Sequence, residues 1–167
     1  MTKKHSQINI HIDQLDILEN QFDHNKLSYD FNEYINYQLL GIPLSELIQI
    51  NIHSKQKISE REQEQFISKF VQHYEHQITS YDFASKYIFR KVLILFLIGI
   101  FFIALYATLD SVLSFVIPEV LLITGWVAIW EAVYAILFTD SQNRMKAKRA
   151  RQLKKSKIIF SQEKTEE

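Results

Sequence analysis

Eighteen consecutive residues without a charge, Val92 to Leu109 (VLILFLIGIFFIALYATL), constrain this chain more than any other feature. At about 1.5 Å rise per residue such a helix is ~27 Å long, close to the thickness of a bilayer's hydrocarbon core. A second run, Val120 to Thr139, is twenty residues long and carries Glu131 as its single charge. Two runs predict two crossings. The ten residues between them, DSVLSFVIPE from Asp110 to Glu119, are too few for a domain. The Asp-Ser pair predicts the end of the first span, and Pro118 predicts the first turn of the second, where a missing backbone N–H costs nothing. The expected product is a transmembrane hairpin over 88–139, with spans at about 92–109 and 120–139 and an apolar connection in the far interface. The competing reading is a hairpin buried inside a soluble protein; the length and apolarity of both runs favour the membrane.

Charge is distributed to match. The formal net charge is zero, but residues 1–87 hold 8 basic and 12 acidic side chains. From Arg144 to Lys157 there are eight basic residues, Arg144, Lys146, Lys148, Arg149, Arg151, Lys154, Lys155 and Lys157, and no acid. Lys86, Arg90 and Lys91 flank the first run, whereas the connection carries no Lys or Arg. The positive-inside rule then puts both termini in the cytoplasm. MTKKHSQINIHID has no apolar run behind its lysines, so no signal peptide is expected and the first third stays where it is made. With no cysteine, disulfides, thiolate metal sites and a Cys nucleophile are excluded.

Residues 1–87 read as a small α/β cap. Gln7 to Asp13, QINIHID, alternates apolar and polar residues like a strand with one buried face, and Leu47 to His53, LIQINIH, does so again. A short helix is expected between them, near Phe31 to Leu40, ending at Gly41-Ile42-Pro43. The strands can pair in parallel through a helical crossover or in antiparallel fashion. Two strands make a poor sheet, so a covering helix or strands from another copy are expected. Ser59-Glu60-Arg61-Glu62 fits a capping box, and no proline or glycine interrupts the chain from Ser59 to Ile98. One long helix is therefore expected to run from the cap into the first span. The fold class expected is mostly α: a β-α-β unit, a long helix continuous with a two-helix transmembrane hairpin, and a basic C-terminal helix in a cytosolic tail, 140–167. No internal repeat or low-complexity linker separates these parts.

The combination of INIHIDQLDILENQFD, FNEYINYQLL with PLSELIQINIHSK, EREQEQFISKFVQHYEHQI, and GWVAIWEAVYAILF with its basic tail resembles an uncharacterised family of small bacterial membrane proteins with two transmembrane helices. The resemblance covers about Ile8 to Ile159, and GWVAIWE is its most specific part. It implies a bacterial inner (plasma) membrane and two spans, and no activity, cofactor or catalytic residue.

Gly125, Ala128, Ala132 and Ala135 form a small-residue stripe, which together with Gly99 on the first span is the expected helix-packing face. Trp126, Trp130, Val133 and Leu137 fall on nearly the opposite face, toward lipid. With the hairpin level at its cytosolic end, Val92 lies opposite Phe138 and Gly99 opposite Glu131. Glu131, Thr124 and Tyr134 are the intramembrane polar residues. The Glu131 carboxyl is read first as helix glue, bonded to Tyr134, Tyr106 or backbone, and second as an ion- or proton-path residue. Ile67, Val71, Tyr74, Ile78 and Tyr81 recur at spacings of 4 and 3, a seam expected to mediate self-association. The eight basic residues after the second span suit anionic lipid headgroups; without interleaved aromatics they do not suit nucleic acid. His73 and His76 lie one turn apart, but two ligands without a third make solvated helix residues the better reading than a metal site. His11 and His53 are ordinary sheet residues on this reading. No phosphate loop, nucleophile elbow or HExxH is present.

The expectation is a non-enzymatic integral membrane protein without cofactor: a self-associating scaffold or accessory subunit whose cap binds a cytosolic partner or another copy. A small oligomeric pore or membrane-perturbing effector with Glu131 near an ion path is the alternative.

Overall fold

A computed structural model describes residues 5–23, 26–109 and 116–162, and most of it is helical. Three strands, β1 (His5–Ile12), β2 (Leu47–Ser54) and β3 (Lys157–Gln162), form one parallel sheet with β2 in the middle. The helices are α1 (Tyr29–Gln38), α2 (Glu60–Leu109), α3 (Val116–Tyr134) and α4 (Ser141–Lys154). A π-helical stretch, Ala135–Asp140, joins the last two. The expected connection from Asp110 to Glu119 lies outside the described residues as far as residue 115; from there Pro118 occupies the first turn of α3, as its missing N–H requires.

The chain divides into two compact units, Met1–Thr79 with Lys148–Glu167, and Ser80–Ala147. In the first, the alternation in β1 puts Ile8, Ile10 and Ile12 on the buried face and leaves Gln7, Asn9 and His11 exposed. Register aligns like with like: Ile8 pairs with Ile50 and Ile50 with Ile158, while Ile10 pairs with Ile52 and Ile52 with Phe160. Onto this face α2 lays Phe66, Phe70 and Tyr74, one turn apart, and α1 lays Phe31 and Ile35. Rings meet edge-on, with centroids 6.0 Å apart for Phe31 and Phe66 and 5.9 Å for Phe66 and Phe160. Fully burying each such side chain stabilises by about 1.5–3 kcal/mol. Ala150 and Leu153 of α4 close the same core.

Caps fix where the helices begin. Ser28 Oγ accepts from Phe31 N at 3.2 Å at the start of α1. At Ser59 the backbone N–H donates to Glu62 Oε2 at 2.8 Å and Glu62 N–H donates back to Ser59 Oγ at 3.4 Å, the reciprocal box expected from the sequence. These bonds from Ser59 hold the Glu62 carboxyl below the usual carboxylate range.

Two expectations need correction here. The helix expected over the sheet is there, but the sheet has a third strand: KIIFSQ, read as part of a tail, supplies it, because Ile158 and Phe160 continue the apolar rows of β2. The seam on α2 is not free. Tyr74 is 1% exposed in the core with its hydroxyl donating to Asn32 Oδ1 at 3.1 Å, and Ile78 packs against the same core. Of that seam Ile67 stays exposed, and Val71 and Tyr81 are half-buried. The aromatic row Phe66, Phe70, Tyr74 outweighs the aliphatic seam because it is the larger apolar surface and the sheet takes it.

In the second unit Ile88, Val92 and Leu95 of α2 pack with Ala132 of α3 and with Ala135 at the start of the π-helical stretch. Both helices are long and apolar enough to cross a membrane, with only 11% and 22% of their most apolar windows buried. A core helix of a soluble protein would be mostly covered.

Candidate functional site

The small residues expected at the helix contact meet there. Gly99 and Gly125 face each other so closely that a Cβ on Gly125 would lie 2.9 Å from Gly99 O, and one on Gly99 would lie 3.0 Å from Gly125 O. Ala128, Ala132 and Ala135 are buried along the same stripe, and Trp126, Trp130, Val133 and Leu137 are exposed on the other side. Backbone-to-backbone approach of this kind needs glycine, since any side chain would hold the helices apart.

That contact sets a register different from the level hairpin. Gly99 lies opposite Gly125 rather than Glu131, a shift of six residues (131 − 125), or about 9 Å along the helix. Val92 accordingly meets Ala132 and Ala135, not Phe138. The interlock of small residues decides the register, and the ends of the apolar runs do not. One consequence bears on Glu131. It has a basic partner: Lys91 Nζ donates to Glu131 Oε1 at 3.1 Å, and both side chains are about half exposed, 50% and 49%. Lys91, read from the sequence only as an orientation signal, is the residue missed. The usable signal was a lysine one residue before the first run, long enough to reach over a turn of its neighbour. Thr124 and Tyr134 do not converge on this pair. Thr124 donates to Val120 O of its own helix at 2.7 Å, and the Tyr134 ring packs 4.8 Å from Phe138.

Below the pair the π-helical stretch ends on Ser141, whose hydroxyl donates to Leu137 O at 2.7 Å and to Phe138 O at 3.1 Å. Asp140 accepts from Arg144 Nε at 2.6 Å.

The basic segment is not a uniform headgroup comb. Arg149 donates to Ile42 O at 2.6 Å and to Gln152 Oε1 at 3.0 Å, Lys154 pairs with Glu75 at 3.2 Å, and Lys157 starts β3 opposite Gln49. Those three, with Arg144, serve the fold. Lys148, Arg151 and Lys155 line an open groove against Leu44–Leu47.

The outward face of the sheet carries columns of matched side chains. Asn51 donates to Asn9 Oδ1 at 2.8 Å, the His11 and His53 rings stack 4.8 Å apart, and Ser161 Oγ lies 2.7 Å from His53 Nδ1. His73 and His76 line a cavity with Asp23, Lys26, Gln72 and Gln77. Burial, then the neighbouring His76 and Lys26, push the His73 imidazole below its ordinary value. Among the described residues no group of three or more His, Cys, Asp or Glu is placed to hold a metal ion.

Comparison of the chain with protein-family models, curated proteins and solved structures found no match.

Proposed function

We propose that this is a non-enzymatic, two-span integral protein of a bacterial inner membrane, both termini cytoplasmic, whose cap works as a self-associating scaffold or accessory module. The observation that carries the interaction reading is the uncovered face of the sheet. Parallel sheets are ordinarily covered on both faces. Here one face is packed by α1, α2 and α4, while Gln7, Asn9, His11, Lys157 and Ser161 stay exposed on the other, around half-buried Asn51, His53 and Ile159. A second copy, presenting the same polar columns, is the partner such a surface fits.

The membrane reading is supported by two long helices whose large apolar side chains point outward, and by the basic residues on both flanks. Connectivity supports an even number of spans, since the strands before and after the two helices belong to one sheet. The scaffold reading is preferred to the pore because the Glu131 carboxylate is already countered by Lys91.

Native mass spectrometry of the full chain in nanodiscs tests this, beside an Asn51→Asp, Ile159→Asp variant. A defined oligomer that becomes monomeric in the variant, with its cap melting unchanged, is the expected result. A monomeric parent chain overturns self-association.

A further inference from the structure

Three basic side chains on one face of α4, Lys148, Arg151 and Lys155, line a groove of about 320 Å³ opposite Leu44, Ser45, Glu46 and Leu47. Their spacing of 3 and 4 puts them in one row on the helix. The two walls are fixed to each other. Gln152 Nε2 donates to both Pro43 O and Glu46 O at 2.9 Å, and the Arg149 guanidinium donates to Ile42 O at 2.6 Å. A turn closed by Glu46 N–H donating to Pro43 O at 3.2 Å holds the opposite wall. The acid in the groove, Glu46, accepts a hydrogen bond from the Ser6 hydroxyl. Three cationic side chains and one carboxylate line the groove, so its lining carries a net positive charge. Lys148 and Lys155 make no ion pair among the described residues.

We propose that this groove holds the phosphate of an anionic lipid headgroup. A phosphate diester offers charge and acceptor oxygens to three cationic donors, and Leu44 and Leu47 give the glycerol end an apolar wall. The lipid source is favoured because Lys148 follows the end of the second apolar run, Thr139, by nine residues, within the stretch where basic residues meet headgroups. This rests on the membrane reading above and sharpens it. Of the eight basic residues, these three line the groove, while Arg144, Arg149 and Lys154 bond to Asp140, the Ile42 carbonyl and Glu75.

The test uses the full chain in a mild nonionic detergent, titrated with phosphatidylglycerol or phosphatidylcholine and read by native mass spectrometry. Two variants are compared: Lys148→Gln, Arg151→Gln, Lys155→Gln, and as a control Arg144→Gln, Lys146→Gln from the same basic segment. Phosphatidylglycerol is expected to bind the parent chain and the control, and to lose on the order of a hundredfold in affinity in the groove variant. Losses in proportion to charge removed in both variants overturn the site in favour of diffuse attraction. Equal binding of phosphatidylcholine also overturns it. Soluble glycerol phosphate that competes at the concentration of the lipid assigns the groove to a free phosphate ester and overturns the lipid source. A chain that stays monodisperse in water without detergent removes the membrane reading itself, a failure separate from these.

Discussion

A methyl group at Gly125 tests the hairpin register most directly. Its Cβ would lie 2.9 Å from Gly99 O, 2.7 Å from Ile103 Cγ1 and 3.2 Å from Ile103 N. Comfortable contacts for carbon are about 3.5–4.0 Å, so two of the three neighbours are backbone atoms that are too near and cannot swing aside. Overpacking of this kind costs about 1–3 kcal/mol. Alanine returns about 0.8–1.0 kcal/mol of helix propensity, which leaves a net destabilisation of roughly 1 kcal/mol for Gly125→Ala. Gly99→Ala should cost a similar amount, since its new Cβ would meet Ile129 Cγ1, held by a stiff β-branched centre, at 2.5 Å and Gly125 O at 3.0 Å. Because each new Cβ meets the other glycine's carbonyl, the double variant should cost less than the sum: the first separation relieves the second. Gly41 serves as the control. Nothing lies within 4 Å of a Cβ there, so Gly41→Ala should be neutral or stabilise by about 0.4–1 kcal/mol. Reversible SDS unfolding in mixed micelles, followed by the fluorescence of Trp126 and Trp130, measures the hairpin variants; a thermal melt of the cap measures the control. A Gly125→Ala chain as stable as its parent would refute the close contact and with it the six-residue shift.

Two further outcomes can be checked. In the same SDS assay Lys91→Gln and Glu131→Gln should each cost about 0.5–1 kcal/mol, and the double variant should recover part of the loss, as expected for a half-exposed pair between helices. His73 is depressed in the fold, so on the acidic side the unfolded chain binds more protons there; cap stability is fully present above about pH 6.5 and is lost as pH falls through that value. Melts across that window should show the decline, and His73→Gln should flatten it.

How far the sequence carried depended on range. Apolar runs, the capping box at Ser59 and the alternation of β1 and β2 are local signals, and each produced its element. What failed depended on a partner. KIIFSQ alone is a short, basic-flanked segment, and becomes a strand only because β2 presents Ile50 and Ile52 beside it. The seam of Ile67, Val71, Tyr74 and Ile78 is real as a pattern, but Phe66 and Phe70 sit one residue off it and carry larger side chains. One overlooked signal was in plain view. QINIH occurs twice, at 7–11 and at 49–53, contrary to the expectation of no repeat. In the sheet the two copies run parallel and in register, with Gln7 beside Gln49, Asn9 beside Asn51 and His11 beside His53. An identical strand repeated across a helical crossover pairs its like residues only in a parallel arrangement, so the repeat could have settled the pairing left open by the alternation alone.

The order of the elements ties the cap to the hairpin. β2 ends at Ser54 and its neighbour β3 begins at Lys157, so both long helices are an insertion in a single strand-to-strand crossover. If those helices cross a bilayer, the pairing of Gln49 with Lys157 can form only when the chain has returned to the side it left. One crossing would strand Ile158 and Phe160 on the wrong side and leave β2 with an unpaired edge over an open core. The basic residues between Arg144 and Lys157 therefore have two tasks that coincide in space and time. On the membrane reading they favour the cytoplasmic side for the second flank, and through Arg149 and Lys154 they bind α4 to the Ile42 carbonyl and to Glu75. Basic residues that read in the sequence as a topology signal are thus part of the cap structure, which is why the segment looked like a detached tail in the sequence and is not one in the fold.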